Sequence, residues 1–191
     1  MLHMSGATNI PMSNINFEKA VTSAHSKNIT IVTYCNGHTC KKSYQAARRL
    51  IAVGLTNVAA FDAGIFDWIQ EVPSKAVLLG RSPAHIKDII LEPELQNRLL
   101  PSKKFFADSA IDKALLIDVR EPIQRRASKP IPGSRKIPID QFKKVLNAGT
   151  LDGYNLYIVD AVGKQVRWLQ YYLKEIGFKN YYFLEGGSES L

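Results

Sequence analysis

The chain has 191 residues, of which 46% are hydrophobic, enough to bury the core of one large domain or two small ones. Its 25 Lys and Arg against 17 Asp and Glu give a formal net charge of +8, which favours anionic ligands. The basic residues are spread along the chain without a basic tail, which argues against nucleic-acid binding. No apolar run is long enough for a membrane-spanning helix, so no membrane span is predicted.

The first strand signal is the β-branched run ITIVTY at residues 29–34, and a second run, NVAAF, follows at 57–61. Between them apolar residues recur at helical spacing. They predict a helix that begins near Lys42 or Ser43 and is capped by Gly54. Strands that alternate with helices predict a parallel α/β sheet.

Most of this unit occurs a second time near the C-terminus. Residues 29–64 align with 155–187, and the upstream turn HMSGATNIP aligns with PIPGSRKIP. Cys35 aligns with Asp160, so the first copy has two extra residues in the following loop and the second copy has no thiol. Further strands are predicted for the apolar runs ALLIDV (114–119), NLYIV (155–159) and NYYFL (180–184). Short helices are predicted after the two turns, at about 16–26 and about 141–146.

The repeat predicts the organisation of the chain. A first domain spans 1–72, a proline-containing linker with one short helix near 85–90 spans 73–100, and a second domain spans 101–191. We expect an α/β protein in which each domain is a small parallel sheet flanked by helices.

The first copy has no equivalent of the strand at 114–119, because that strand would lie before residue 1. A parallel sheet without an internal strand exposes unpaired backbone. Three interpretations stay open: the protein begins upstream of this sequence, the segment KAVLLG (75–80) fills the gap, or another copy of the chain completes the sheet in a homodimer. The N-terminus shows no secretory signal, which favours a cytoplasmic location, and an upstream start leaves a periplasmic one open.

Cys35 stands where a strand ends and a helix begins, the place at which open α/β sheets bind ligands. The N–H groups of a short loop that closes onto a helix N-terminus form an anion cradle. The helix dipole, aided by Lys41 and Lys42, favours the thiolate over the thiol. Gly37 is the loop residue most free to adopt the positive φ of a tight curl. A thiolate at the floor of an anion cradle suits displacement on sulfur or phosphorus.

These residues resemble the active-site half of a rhodanese domain: an apolar strand, a Cys, a short loop and a helix, then GLTNV and AGIFDW. HMSGATNIP and PIPGSRKIP resemble the turn of that family, and LLIDVREP resembles its opening strand. The resemblance covers nearly the whole chain as two tandem copies, the first shortened at its front and the second without the cysteine.

The resemblance implies that Cys35 accepts the outer sulfur of an anionic donor such as thiosulfate as a persulfide. The sulfur then passes to a thiophilic acceptor such as cyanide or a protein thiol, and no cofactor is involved. The residues implied to bind the donor are Asn36, Gly37, His38, Thr39, Cys40, Lys41, Lys42 and Ser43. Asp160 implies that the second copy is inert and architectural, and Asp118 and Arg120 are expected to form a structural ion pair there.

The loop departs from the family pattern in length and in one residue. Lys42 precedes Ser43 where the family has Arg, and the loop is two residues longer. The longer loop faintly resembles that of dual-specificity phosphatases, but Lys is a poor substitute for the Arg that clamps phosphate. The main alternative function is a non-catalytic rhodanese-like module that binds a partner or senses redox state.

Cys40 has two interpretations, a resolving thiol that attacks oxidised Cys35 or a small loop residue without a chemical role. His38 is expected either to donate a hydrogen bond to the substrate or to be an exposed residue without a role in binding. Cys35, His38 and Cys40 have no fourth ligand nearby, so no metal site is predicted.

Overall fold

The computed structural model describes residues 2–24, 29–38 and 40–191. The chain forms two compact units, Met1–Ile89 and Ile90–Leu191. Each unit contains parallel strands and helices, which confirms the predicted α/β fold class. None of the helices in the described part of the chain has the length and apolar character needed to cross a membrane.

The first unit contains two pairs of strands in its described part. The strands are β1 (His3–Met4), β2 (Ile31–Tyr34), β3 (Val58–Phe61) and β4 (Ala76–Val77), and the helices are α1 (Phe17–Ala24), α2 (Lys42–Ala52) and α3 (Gly64–Glu71). β2 and β3 are parallel, and Tyr34 and Phe61 are register partners at their carboxyl ends. β1 and β4 are antiparallel, with His3 opposite Val77.

The core of the first unit lies between β2 and the helices α1 and α2. The amphipathic α2 buries Ala46 and Leu50, which pack with Phe17 of α1 and Ile31 of β2. Gly54, with φ 92°, ends α2 as predicted. This packing fixes the start of α2 beside the carboxyl end of β2.

The second unit contains a five-stranded parallel sheet. Its strands are β5 (Leu99–Leu100), β6 (Ala114–Asp118), β7 (Arg135–Lys136), β8 (Asn155–Val159) and β9 (Tyr181–Leu184), in the spatial order β5-β9-β8-β6-β7. Its helices are α4 (Glu92–Gln96), α5 (Ser102–Asp108), α6 (Pro122–Arg126), α7 (Ile139–Asn147) and α8 (Val166–Glu175). β8, the equivalent of β2, is flanked by strands on both sides.

The segment KAVLLG does not take the place of the strand that the first copy was predicted to lack. Ala76 and Val77 form β4, which pairs with β1 rather than with β2. Among the described residues, β2 has a neighbouring strand on one side only, and Val32 is 52% exposed. Its equivalent in β8, Tyr157, is 3% exposed. The two copies therefore differ in how their equivalent strands are covered.

Residues 73–100, predicted to be a linker, divide between the two units. Residues 73–89 belong to the first unit and carry β4, whereas 90–100 belong to the second and carry α4 and β5. In place of the short helix predicted near 85–90 there is a single 3-10 turn, Ile86–Asp88, flanked by residues with extended backbone. A segment this short gains too few hydrogen bonds to offset the cost of nucleating an α-helix.

Candidate active site

Two loops follow the parallel strands of the first unit at the same edge of the sheet. Cys35 comes directly after β2, and Asp62 comes directly after β3. The last residues of the two strands, Tyr34 and Phe61, lie side by side in register. The loop after Cys35, residues 36–41 (the Cys35 loop), leads into α2, so residues from both strand ends and from the start of α2 surround the cysteine.

The start of α3 holds the backbone of Cys35 and its loop. The N–H group of Ile65 donates a hydrogen bond of 2.9 Å to the carbonyl oxygen of Cys35. Gly64 makes this approach possible, because its φ is 69° and a Cβ atom there would lie 2.4 Å from the backbone nitrogen of Gly37. Any side chain at residue 64 would displace the loop.

The Cys35 sulfur is surrounded by hydrogen-bonding groups. The half-buried thiol donates to the carbonyl oxygen of Cys40 at 3.2 Å and to the hydroxyl oxygen of Ser43 at 3.6 Å. Burial raises the pKa of the Cys35 thiol, because it disfavours the charged form. Hydrogen bonds outweigh burial and lower the pKa below its ordinary value; they come from the Cys40 thiol, the Ser43 hydroxyl and the backbone N–H groups of Ser43 and Gly37. These groups therefore stabilise the thiolate form of Cys35 relative to the thiol.

Ser43 is fixed in the first turn of α2. It is 2% exposed, and its carbonyl oxygen accepts a hydrogen bond of 2.8 Å from the hydroxyl of Thr33 in β2. Lys41 and Lys42 precede it with exposed side chains, and within the described residues neither donates a hydrogen bond to the Cys35 sulfur. Hydrogen bonds from α2 and the loop, rather than the two lysine charges, lower the pKa of Cys35.

The curl of the Cys35 loop includes the positive φ predicted at Gly37. This φ is 159°, near the extended end of the positive range. The loop turns back because the N–H of Cys40 donates a hydrogen bond of 2.8 Å to the carbonyl oxygen of Gly37. Asn36 is partly buried between Cys35 and this turn. Thr39, also predicted to bind the donor, lies outside the described residues.

His38 connects the Cys35 loop to two carboxylates that were not predicted to belong to the site. Its Nδ1 lies 2.5 Å from Asp62 Oδ2, and its Nε2 lies 3.2 Å from Asp67 Oδ2 in the first turn of α3. The hydroxyl of Tyr44 donates to the other oxygen of Asp62 at 2.7 Å. The hydrogen bond to Asp62 is the main reason that the pKa of His38 is raised above its ordinary value. One signal in the sequence was the place of Asp62 directly after a strand that pairs with β2.

In the second copy a carboxylate takes the place of the thiol. Asp160 follows β8 directly and is fully buried, and its two oxygens accept hydrogen bonds of 2.8 and 2.9 Å from the N–H groups of Gly163 and Gln165. Burial raises the pKa of Asp160 although these N–H groups favour the charged form. In the second copy, the N–H groups of the loop are thus occupied by the side chain of Asp160.

The ion pair expected in the second unit is present. Arg120 and Asp118 are each 1% exposed, and the guanidinium contacts both carboxylate oxygens at 2.8 Å. The same guanidinium donates to the hydroxyl of Ser128 and to the carbonyl oxygen of Lys129, at 2.7 and 3.0 Å. All of these contacts lie within the turn after β6, which gives Arg120 a structural role.

A cavity of about 590 Å³ lies in the second unit, next to the turn after β6, and Arg125, Arg126 and Lys136 line it. No cysteine lines this cavity. We place the candidate site at Cys35 because it has a nucleophilic thiol whose pKa is lowered by its surroundings. Within the described residues no group of three or more His, Cys, Asp or Glu side chains is arranged to hold a metal ion.

The chain resembles three solved structures at low sequence identity. A thiosulfate sulfurtransferase from Pseudomonas aeruginosa is 21% identical, and the match covers 100% of this chain and 36% of that chain with a TM-score of 0.47. The protein YnjE is 14% identical, and the match covers 97% of this chain and 55% of that chain with a TM-score of 0.42. Reduced CoADR-RHD from Bacillus anthracis is 25% identical, and the match covers 48% of this chain and 16% of that chain with a TM-score of 0.39. The chain therefore spans between 16% and 55% of the length of these relatives. No curated protein matches it.

The family model of the rhodanese-like domain matches the chain in two segments, residues 2–71 and residues 103–191. The two segments correspond to the two copies found in the sequence, and together they cover most of the chain. The chain belongs to the rhodanese-like domain family, with two copies of the domain in tandem.

Proposed function

We propose that this protein is a sulfurtransferase in which Cys35 carries the transferred sulfur. The observation that carries the proposal is the set of hydrogen bonds that lowers the pKa of the Cys35 thiol at the carboxyl end of β2. A thiolate is the form of cysteine that attacks sulfur, and a half-buried one remains accessible to a small donor.

In the first step the Cys35 thiolate attacks the outer sulfur of thiosulfate. A bond forms between the two sulfurs, the sulfur–sulfur bond of thiosulfate breaks, and sulfite leaves with the electron pair. In the second step cyanide or an acceptor thiolate attacks the outer sulfur of the persulfide. Thiocyanate or an acceptor persulfide forms, and the Cys35 thiolate is regenerated.

The surroundings of Cys35 support an anionic donor. The backbone N–H groups of Gly37 and Ser43 face the sulfur, and N–H groups at a helix start favour negative charge. Lys41 and Lys42 project into solvent beside them, and the net charge of +8 attracts an anion from a distance. Thiosulfate is the simplest donor of this class.

The second copy contributes no sulfur transfer in this proposal. A carboxylate cannot become a persulfide, and Asp160 already occupies the N–H groups of its own loop. Its proposed role is architectural.

The test is the cyanolysis of thiosulfate by three proteins: the wild type, Cys35→Ser and Cys40→Ser. We expect Cys35→Ser to lower the rate of thiocyanate formation by at least about a thousandfold, because the only proposed sulfur carrier is removed. We expect Cys40→Ser to retain thiocyanate formation, since Cys35 is intact. Mass spectrometry after thiosulfate alone should show one added sulfur in Cys40→Ser, which retains Cys35 as the single thiol, and none in Cys35→Ser.

Three results would overturn the proposal. Thiocyanate formation that survives Cys35→Ser removes this residue from the mechanism. Absence of any sulfur uptake by Cys40→Ser, together with a Cys35-dependent disulfide in the wild type after mild oxidation, favours the redox-sensing alternative. Hydrolysis of an aryl phosphate without sulfur uptake favours a phosphatase.

A further inference from the structure

The described part of the chain holds a second thiol within the same loop as Cys35. Cys40 is partly buried, and its carbonyl oxygen lies 3.2 Å from the Cys35 sulfur. The turn between Gly37 and Cys40 brings the residue back toward the end of β2. The backbone of Cys40 is therefore in direct contact with the Cys35 sulfur.

The two thiols also interact directly. A hydrogen bond from the Cys40 thiol contributes to the low pKa of Cys35, and burial followed by the same hydrogen bond raises the pKa of Cys40. The pair is therefore asymmetric: its surroundings favour the thiolate form at Cys35 and the protonated form at Cys40. A protonated thiol in this position holds a proton that a leaving sulfur needs.

We propose that Cys40 is a resolving thiol that discharges the Cys35 persulfide as hydrosulfide. The proposal rests on the proposed function, because it starts from the persulfide formed there. It adds a second outcome for the sulfur, release into solution when no acceptor is bound.

The step balances without an external oxidant. As the Cys40 thiol passes its proton to the outer sulfur of the persulfide, the resulting Cys40 thiolate forms a bond to the Cys35 sulfur, and the bond between the Cys35 sulfur and the outer sulfur breaks. The outer sulfur leaves with the electron pair and takes the proton of Cys40, so the products are hydrosulfide and a Cys35–Cys40 disulfide. A thiol reductant in solution then reduces the disulfide and restores both thiols, and it is oxidised in turn.

Attack within one loop should be much faster than attack by another molecule. The effective concentration of a thiol five residues away is in the millimolar range or above, whereas a second protein molecule in an assay is micromolar. We therefore expect the release of hydrosulfide to be first order and independent of protein concentration. In Cys40→Ser the persulfide can be discharged only by another molecule.

The experiment uses the reduced full-length protein, freed of reductant and mixed with thiosulfate but no acceptor. Hydrosulfide is measured in solution, and the tryptic peptide of residues 28–41, which contains both cysteines, is weighed by mass spectrometry. The wild type should release hydrosulfide and yield a peptide lighter by two hydrogens. Cys40→Ser, which keeps a hydroxyl donor beside Cys35, should hold one extra sulfur and release hydrosulfide at least about a hundredfold more slowly.

The outcomes separate this proposal from the proposed function. Equal hydrosulfide release by the wild type and Cys40→Ser, or a persulfide that is stable in both, overturns the resolving role and leaves sulfur transfer intact. An extra sulfur found on Cys40 also overturns the resolving role, because the outer sulfur has then been transferred to Cys40 instead of being released as hydrosulfide. No sulfur uptake by either protein overturns the proposed function, and this inference falls with it.

Discussion

Gly64 and Gly187 adopt the same left-handed conformation at equivalent positions of the two copies, with φ of 69° and 66°. Gly64 lies against the loop that follows β2, and Gly187 lies against the loop that follows β8, the equivalent strand of the second copy. A Cβ atom would lie 2.4 Å from the backbone nitrogen of Gly37 in the first case and 2.6 Å from that of Val162 in the second. In both copies, the glycine that follows the second strand of the parallel pair thus lies tightly against the loop that follows the first strand.

The first prediction concerns Gly64→Ala. A positive φ in a residue with a side chain costs about 1–3 kcal/mol, and the contact with the loop adds to this cost. We expect a lower melting temperature and a large fall in sulfur uptake, because the Cys35 loop is displaced. Thermal unfolding and mass spectrometry after thiosulfate treatment measure the two effects.

Gly54→Ala is the matched control for this variant. Gly54 has φ 92°, but a Cβ atom there meets nothing within 4 Å. It should lose stability from backbone strain alone and keep its sulfur uptake. Equal uptake by the two variants would show that the approach of Gly64 to the loop is unimportant for the site.

The second prediction concerns Ser43→Ala. A hydrogen bond to a charged sulfur stabilises the charge. The Ser43 hydroxyl is one of the groups that lower the pKa of Cys35, so we expect its loss to raise that pKa. The pH dependence of Cys35 alkylation, in a Cys40→Ser background that leaves a single thiol, measures the shift. Ser13→Ala, an exposed site, should leave the alkylation profile unchanged, and a profile unchanged in Ser43→Ala contradicts the prediction.

The third prediction concerns the pH dependence of His38. Its pKa is raised mainly by Asp62, so the folded state favours the protonated ring. The ion pairs that attach the Cys35 loop to Asp62 and Asp67 are therefore complete below the ordinary pKa of histidine and are lost as the pH rises through the raised one. The NMR titration of the His38 ring, assigned with His38→Gln, should show this raised midpoint.

Two carboxylate variants test the cause of that shift. Asp62→Asn should lower the His38 midpoint more than Asp67→Asn does, because the hydrogen bond to Asp62 is the largest contribution and the effects of Asp67 are smaller. A midpoint that is the same in Asp62→Asn as in the wild type would mean that the ring does not contact this carboxylate in solution.

The fourth prediction concerns the buried ion pair of the second unit. Removal of one partner leaves a buried charge uncompensated, so Arg120→Met should lower the free energy of unfolding by about 3–5 kcal/mol. Lys104→Met removes an exposed, solvent-screened pair with Asp108 and should change the free energy of unfolding far less than Arg120→Met. Denaturant unfolding compares the two variants. Similar small effects would show that Arg120 does not hold the turn after β6.

The repeat and the apolar runs predicted most of the second unit, because each of its core strands coincides with a short run of mainly aliphatic or aromatic residues. β6, β8 and β9 lie where ALLIDV, NLYIV and NYYFL were assigned. Two-residue strands such as β5 and β7 carry no such pattern and were not predicted. Their formation depends on the neighbouring strand and not on the residues themselves.

The contacts of His38 show why part of the site could not be predicted. Cys35, Cys40 and Ser43 are close in sequence, and a strand, a loop and a helix bring them together locally. Asp62 and Asp67 belong to another strand end and to another helix. Only the tertiary pairing of β2 with β3 places them beside His38, and one sequence contains no direct signal for that distance.

The buried Asp160 has a consequence for attempts to re-engineer the second copy. Its carboxylate is buried and already accepts hydrogen bonds from the loop N–H groups that an anionic substrate would need. Exchanging it for cysteine would install a nucleophile that solvent cannot reach. Under the proposed function, the accessibility of the side chain at this position, as well as its chemistry, distinguishes the second copy from the first.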